Sequence, residues 1–243
     1  MEPARPSALN PRRVLGVVAH PDDLDVIAAG SIAKYIQGGA DVHYLVLTDG
    51  GKGSDDLTMT TEELIQTRQK EQRDGLAALG GNPESITFFS YGDGELENTL
   101  ELKRAIVREI RRFKPDVVIT LDPTVVYSKA TGRINHPDHR AAGQAVLDAV
   151  FPLARDRLTF PEHAAEGLLP HKVSTVLLTD FDSATYYEDI TETFIYKEGA
   201  LDAHPSQFGT SGEIKAFFRE FAEKAGHQAG YQLAEGFIRL DIQ

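Results

Sequence analysis

The apolar residues of this chain fall into two rhythms that alternate along its length. Val14 to Ala19 (VLGVVA) is an uninterrupted apolar run, the mark of a strand buried on both faces of a parallel sheet. It stops abruptly at His20-Pro21. The apolar positions then move to helical spacing, at Ile27, Ile32, Ala33 and Ile36, and Gly38-Gly39 supplies the stop after Gln37. The same succession recurs. Val42 to Leu47 predicts a strand, and Thr61 to Leu79 a helix with Thr61 as N-cap and Gly80-Gly81 as terminator. Further strands are expected at Ile86 to Phe89, Val117 to Leu121 and Val173 to Leu178, with helices near Thr99 to Phe113 and Pro137 to Leu153. Beyond Leu178 the regularity weakens, although Ile190 to Ala203 and Ser211 to Ala225 read as helices and Gly236 to Ile242 as a final strand.

Alternation of this kind implies an α/β chain with a Rossmann-like, mostly parallel sheet and helices on both faces. Right-handed crossovers gather the loops that follow the strands on one sheet edge, where ligands usually bind. No repeat, low-complexity tract or Pro/Gly/Ser linker divides the sequence, so residues 14–243 are expected to form a single domain. Residues 1–13, with three prolines and three arginines and no apolar stretch of a secretory signal, read as a flexible lead-in.

Composition narrows the function classes. With 41% hydrophobic and 26% charged residues, the chain is that of an ordinary packed protein. A formal charge of -12 and a pI near 5.1 argue against nucleic acid as a partner, since a phosphate-backbone binder needs a basic face. The absence of cysteine excludes disulfides, thiolate metal sites and cysteine nucleophiles, so any metal must be held by His, Asp or Glu. No apolar run approaches the roughly 20 residues needed to span a bilayer. The expectation is a cytoplasmic protein without stable membrane insertion.

Two polar clusters stand out against this background. His20-Pro21-Asp22-Asp23 places an imidazole and two carboxylates at the end of a buried strand. Adjacent carboxylates repel unless a cation or donor compensates, which points to a divalent metal. The simpler reading is that Asp22 or Asp23 caps the next helix. Asn135-His136-Pro137-Asp138-His139-Arg140 opens a later helix, with Pro137 suited to its first position. His136 and His139 are three apart and can face one sheet edge, with Asp138 free to bond an imidazole. Two His-Pro-Asp units at strand-to-helix junctions imply one shared site, and two histidines with one carboxylate suit zinc with an open position for water. The Gly-rich stretch from Thr48 to Ser54 lacks the Gly-Lys-Ser/Thr ending of a phosphate-binding loop and is assigned to pocket shaping.

The segments Ala19 to Asp23 and His136 to His139 resemble the signature of the PIG-L/LmbE-like family of zinc-dependent de-N-acetylases, N-acetylglucosaminyl deacetylase-like enzymes. The resemblance implies that His20, Asp23 and His139 bind Zn2+, that Asp22 is the general base, that His136 stabilises or protonates the tetrahedral intermediate, and that Asp138 orients a histidine. It extends to Thr48-Asp49-Gly50, Arg68, Glu71 and Asp93, and to Ala200-Leu201-Asp202-Ala203-His204-Pro205-Ser206-Gln207, which resembles an Ala-Leu-x-x-His-x-Ser-Gln stretch. Residues 14–243 thus read as a deacetylase domain. Arg68, Asp93 and His204 are the substrate-binding candidates, although Arg68 can simply lie on a charged, solvated helix face and His204 in a turn before Pro205. The chain departs from the family where Glu usually follows the Asp pair, having Leu24 and then Asp25.

The expected activity is removal of an N-acetyl or related N-acyl group from an N-acetylglucosamine-like sugar or conjugate. A homo-oligomer also accords with the resemblance. Three other readings remain open at this point: an amidase for a non-sugar or thiol-conjugate amide, a non-haem iron oxygenase, whose ligand set is similar, and a sugar-binding protein without activity.

Overall fold

The computed structural model describes residues 8–128, 132–179 and 183–243. The first apolar run becomes β1 (Arg13–Val18), buried at every position from Val14 to Val18. Such a strand needs cover on both faces and a neighbour on each side. The rest of the fold supplies them. Strands β2 (Asp41–Thr48) and β4 (Val117–Leu121) flank β1 in parallel, β3 (Ile86–Tyr91) continues beyond β2, and β5 (Thr175–Thr179) beyond β4. Two late strands, β6 (Tyr186–Asp189) and β7 (Ala234–Asp241), complete a seven-stranded sheet of order β3-β2-β1-β4-β5-β7-β6, with β7 antiparallel to both its neighbours.

Helices α1 (Asp23–Gln37), α2 (Thr61–Ala78), α6 (Phe194–Asp202) and α8 (Glu213–Ala229) pack together on one side of the sheet. On the other lie α3 (Leu100–Phe113) and α4 (Pro137–Asp148). Short helical turns occupy α5 (Glu162–Ala165) and α7 (Pro205–Phe208). The single-domain α/β architecture expected from the alternation is the one observed.

The boundaries differ from expectation for local reasons. Helix α2 is capped by Thr60, one residue earlier than expected, because Thr60 and Glu63 form a reciprocal capping box. The helix expected to run to Leu153 is broken at Phe151, which is extended (φ -138°, ψ 120°) and is followed by Pro152, which has no N–H to give. Strand β6 carried no expectation. Of the expected lead-in, residues 1–7 lie outside the described residues. Nearer the domain, Leu9 N–H donates to the Tyr186 hydroxyl, and the N–H groups of Arg12 and Arg13 donate to Asp116.

Strand pairing fixes where a ligand crevice can open. β1 pairs Val14, Leu15 and Gly16 with Val117, Val118 and Ile119 of β4, while the crossover from β1 to β2 runs the other way. The order therefore reverses between β1 and β4, and the crevice beyond their carboxyl ends is the place where such sheets bind ligands.

Candidate active site

Both polar clusters reach that crevice. His20 follows β1 after Ala19, whose carbonyl accepts from the Thr48 hydroxyl and N–H at the end of β2. His136, Asp138 and His139 come from the loop after β4 and the first turn of α4, where Pro137 occupies the opening position. Adjacency of β1 and β4 thus brings together residues more than a hundred positions apart.

At the centre, His20, Asp23 and His139 each offer a ligand atom within 4.8 Å of the others. Their proton positions follow from their partners. Asn135 donates through Nδ2 to the Val125 carbonyl (2.8 Å), which leaves its Oδ1 facing His139 Nδ1 at 3.1 Å. Nδ1 therefore carries a proton, and Nε2 faces Asp23 Oδ1, 3.1 Å away. His20 Nε2 faces Asp138 Oδ2 (3.3 Å) and Asp93 Oδ1 (3.2 Å). Carboxylate oxygens only accept, so that nitrogen is the protonated one, and Nδ1 lies 3.5 Å from Asp23 Oδ2. A carboxylate set between two imidazoles draws positive charge to the site, which protons on the rings or a bound cation can supply. The donor set fits a divalent metal of the zinc type.

The electrostatics express the same demand. Burial works against a charged His20, yet bonds to Asp138, Asp23 and Asp93 outweigh it and push the imidazole up to about 12. His20, Asp93, His136 and Asp138 form a second grouping of possible ligand atoms among the described residues. Asp138 is already engaged there: its oxygens accept from Gly94 N–H (2.7 Å) and Leu96 N–H (3.2 Å) as well as facing His20. Those bonds hold its carboxyl below the usual range although burial alone would raise it. Asp138 thus orients His20 from behind.

His136 is built differently. Its Nδ1 accepts the Asp138 N–H at 3.2 Å, so the neutral ring carries its proton on Nε2. Burial and the nearby His20 lower its basicity and keep it neutral. Its ring stands edge-on to His20, centroids 4.6 Å apart.

Asp22 and Asp23, adjacent in sequence, point to different partners. Asp22 occupies the N-cap position of α1 but makes no side-chain cap bond. Its backbone has φ 106°, a region costly for a residue with a Cβ, on the order of 1–3 kcal/mol. Its Oδ2 accepts from Arg68 Nη2 at 3.1 Å. Burial raises its carboxyl to about 6 against the opposing pull of Arg68. Gly50, at φ 66°, lets this packing close, since a Cβ there would meet Pro21 at 2.9 Å and Arg68 at 3.0 Å.

The three residues expected at the substrate are turned inward. Arg68, only 4% exposed, donates to the carbonyls of Gly50 and Pro21 and to Asp22; the solvated-face alternative for it does not hold. Asp93 accepts from Lys52 N–H and faces His20. His204 is fully buried, its Nε2 2.7 Å from Asp25 Oδ2. Position 24, where the family favours Glu, is a core residue here: Leu24 fills the space over Gly16. Asp25 carries the buried carboxylate instead.

A cavity of about 590 Å³ opens onto Asp23, His136 and His139. Its outer wall is apolar, with Val26 and Ile27 from α1, Ile134 from the loop before α4, and Phe217, Phe218 and Phe221 from α8. Asp22, Arg68, Asp93 and His204 are not part of the lining. The sequence reading missed this wall, Asn135 and Gln72. For Asn135 the signal was its place four residues before His139; for Gln72 it was the stripe Arg68, Glu71, Gln72, Gly75 at helical spacing. The phenylalanines gave none, since such spacing on a helix usually marks core.

Residues 15–150 match the PIG-L family, described as GlcNAc-PI de-N-acetylase. The chain is 33% identical over 227 residues to diacetylchitobiose deacetylase of Thermococcus kodakarensis, covering 93% of this chain and 82% of that one. A probable N-acetyl-α-D-glucosaminyl L-malate deacetylase 2 of Bacillus anthracis is 32% identical, with 88% of each chain covered. The solved structure of N,N'-diacetylchitobiose deacetylase from Pyrococcus horikoshii superposes with a TM-score of 0.86 at 28% identity, covering 96% of this chain and 85% of that one. With more than half its length matched, and the two His-Pro-Asp segments meeting in one crevice, this chain belongs to the PIG-L family of de-N-acetylases.

Proposed function

We propose that this chain is a zinc-dependent deacetylase that removes the acetyl group from a small N-acetylglucosamine-containing molecule. The observation that carries the reading is the meeting of the Asp23 carboxylate with one ring nitrogen each of His20 and His139 in a single cluster of possible metal-ligand atoms. His20, Asp23 and His139 are the residues that would hold zinc, which when bound supplies Lewis acidity to activate water and polarise the amide carbonyl.

This chain's residues divide the remaining work. Asp22, raised to about 6 and steadied by Arg68, accepts the proton of the attacking water near neutral pH. His136 Nε2–H donates to the carbonyl oxygen as negative charge develops there, an interaction strongest in the transition state. Asp138 keeps His20 in the correct tautomer, and Asn135 does the same for His139. The proton taken by Asp22 leaves with the amine. The apolar wall of the cavity suits the ring face of a sugar or its aglycone, because aromatic side chains present a large surface to C–H groups.

The named activities of the relatives support a glucosamine-type substrate. Among the described residues no helix is long and apolar enough to cross a membrane. The decisive experiment measures acetate release from N-acetylglucosamine, N,N'-diacetylchitobiose, N-acetylglucosaminyl malate and a thiol-conjugate amide, alongside metal analysis and oxygen consumption. Zinc-dependent acetate release from at least one of the sugars is expected. Turnover of the conjugate alone shifts the substrate class to non-sugar amides, and iron with oxygen uptake overturns the hydrolase.

A further inference from the structure

The strained turn at Asp22 is held from behind by a chain of buried polar groups. The Asp22 N–H donates to Gln72 Oε1 at 2.8 Å. Gln72 is fully buried on α2, and its other end is committed: Nε2 donates to Asp25 Oδ2 at 2.8 Å. A carboxylate cannot donate, so this bond fixes the orientation of the Gln72 amide and leaves Oε1 for the Asp22 N–H. Asp25 is fixed in turn. His204 Nε2 lies 2.7 Å from its Oδ2, and the Tyr44 hydroxyl donates to its Oδ1 at 3.4 Å.

Three elements converge to make this arrangement. The segment after α6 brings His204 and is anchored to α2, where Ser206 N–H and hydroxyl donate to Glu71. Gly75, one turn beyond Glu71, leaves the room: a Cβ there would sit 2.3 Å from Asp25 Oδ2 and 3.1 Å from His204 Nε2. Helix α2 therefore presents Arg68 to the Asp22 carboxylate, Gln72 to its backbone and Gly75 to the pair behind. Two contacts from one rigid face, on two different groups of Asp22, over-determine a conformation that the backbone alone disfavours.

We propose that Gln72, backed by the Asp25–His204 pair, is a positioning residue for Asp22, holding the positive-φ turn that presents its carboxylate to Arg68. Gln72 reaches Asp22 through its backbone N–H, and Asp25 and His204 reach it through Gln72, so their effect on turnover passes through Asp22. The proposal rests on Asp22 as general base.

The test is a double-mutant cycle between Gln72→Met, a near-isosteric change without the amide, and Asp22→Asn, on whichever N-acetylglucosamine derivative the wild-type chain turns over. Gln72→Met is expected to lower kcat at least tenfold with KM within twofold and zinc stoichiometry unchanged, and to cause no further loss in the Asp22→Asn background. Amide exchange at Asp22, followed by NMR in the protein as purified, should quicken at least tenfold. A kcat within twofold of wild type, an equal fall in both backgrounds, or unchanged exchange at Asp22 overturns the proposal. Full activity of Asp22→Asn alone overturns the base reading and the catalytic part of the proposal with it, yet leaves the exchange result standing, so the two failures are told apart. Should Gln72→Met not fold, Gly75→Ala perturbs the same network while keeping every hydrogen-bonding group. The same pattern of losses is then expected, and wild-type turnover overturns the proposal.

Discussion

The two His-Pro-Asp units have the same three residues in the same order, and the fold uses them in opposite ways. In the first, His20 is buried beside Asp23 and Asp22 is turned aside to Arg68. In the second, His136 is the half-exposed residue and Asp138 is the buried one, reaching back to His20. The difference lies in where the helix begins. α1 starts at Asp23, so Pro21 and Asp22 still belong to the turn; α4 starts at Pro137, so Asp138 already lies in the first helical turn. The two units coincide only at their fourth residues, Asp23 and His139, which face each other 3.1 Å apart. Identical tripeptides therefore carry different chemistry because two residues separate their helical frames.

Three substitutions probe this contrast. His139→Ala should have the largest effect, with zinc stoichiometry by elemental analysis falling well below one and acetate release falling to background; full occupancy removes His139 from the ligand set. Asp22→Asn should lower kcat on the order of 10³-fold while retaining zinc, since a positioned general base contributes about 10² to 10⁴-fold. Its counterpart Asp138→Asn should show the opposite emphasis, weakening zinc affinity about 10 to 100-fold in a chelator competition and sparing kcat once zinc is saturating. If Asp22→Asn and Asp138→Asn behave alike in both assays, the division between the two units fails.

The smallest effect concerns stability. Burial disfavours the charged form of His204, but its bond to Asp25 outweighs this and raises its basicity. A raised imidazole stabilises fully below its ordinary value of about 6.5, and the contribution is lost as pH rises through the higher folded value. Thermal unfolding of wild type and His204→Gln should therefore differ most at pH 6 and converge on the alkaline side. A gap that widens with pH would reverse the sign and show His204 to be buried neutral.

Much of the fold was legible because its strands are buried on both faces and its helices are not. Val117 to Leu121 is continuous and apolar, and the strand lies there without a residue's error. β6 was illegible for the converse reason: four residues, Tyr186–Asp189, alternate between buried and part-exposed at a sheet edge, and their partner is a strand 45 residues on. In the site, local residues were legible and their partners were not. His204 stood out in sequence, but its role depends on Asp25, 179 residues away. The charge around Arg68 suggested a solvated helix face, because the sequence does not show that the Gly50 loop and Pro21 close over it. Phe217, Phe218 and Phe221 were illegible as cavity wall, since only the position of α8 decides which side of a helix faces the crevice.

The loop between β4 and α4 folds back on itself, for Tyr127 pairs with Ile134 and the Asn135 N–H donates to the Val126 carbonyl. One residue of this fold, Ile134, stands at the cavity wall; the next, Asn135, holds the imidazole of His139. The cavity wall and the support of a candidate metal-binding imidazole thus fall on adjacent residues. For an engineer the lesson is restrictive: grafting a relative's loop also rewrites the support of His139, whereas α8 touches the cavity through its phenylalanines and carries none of the candidate metal-binding residues.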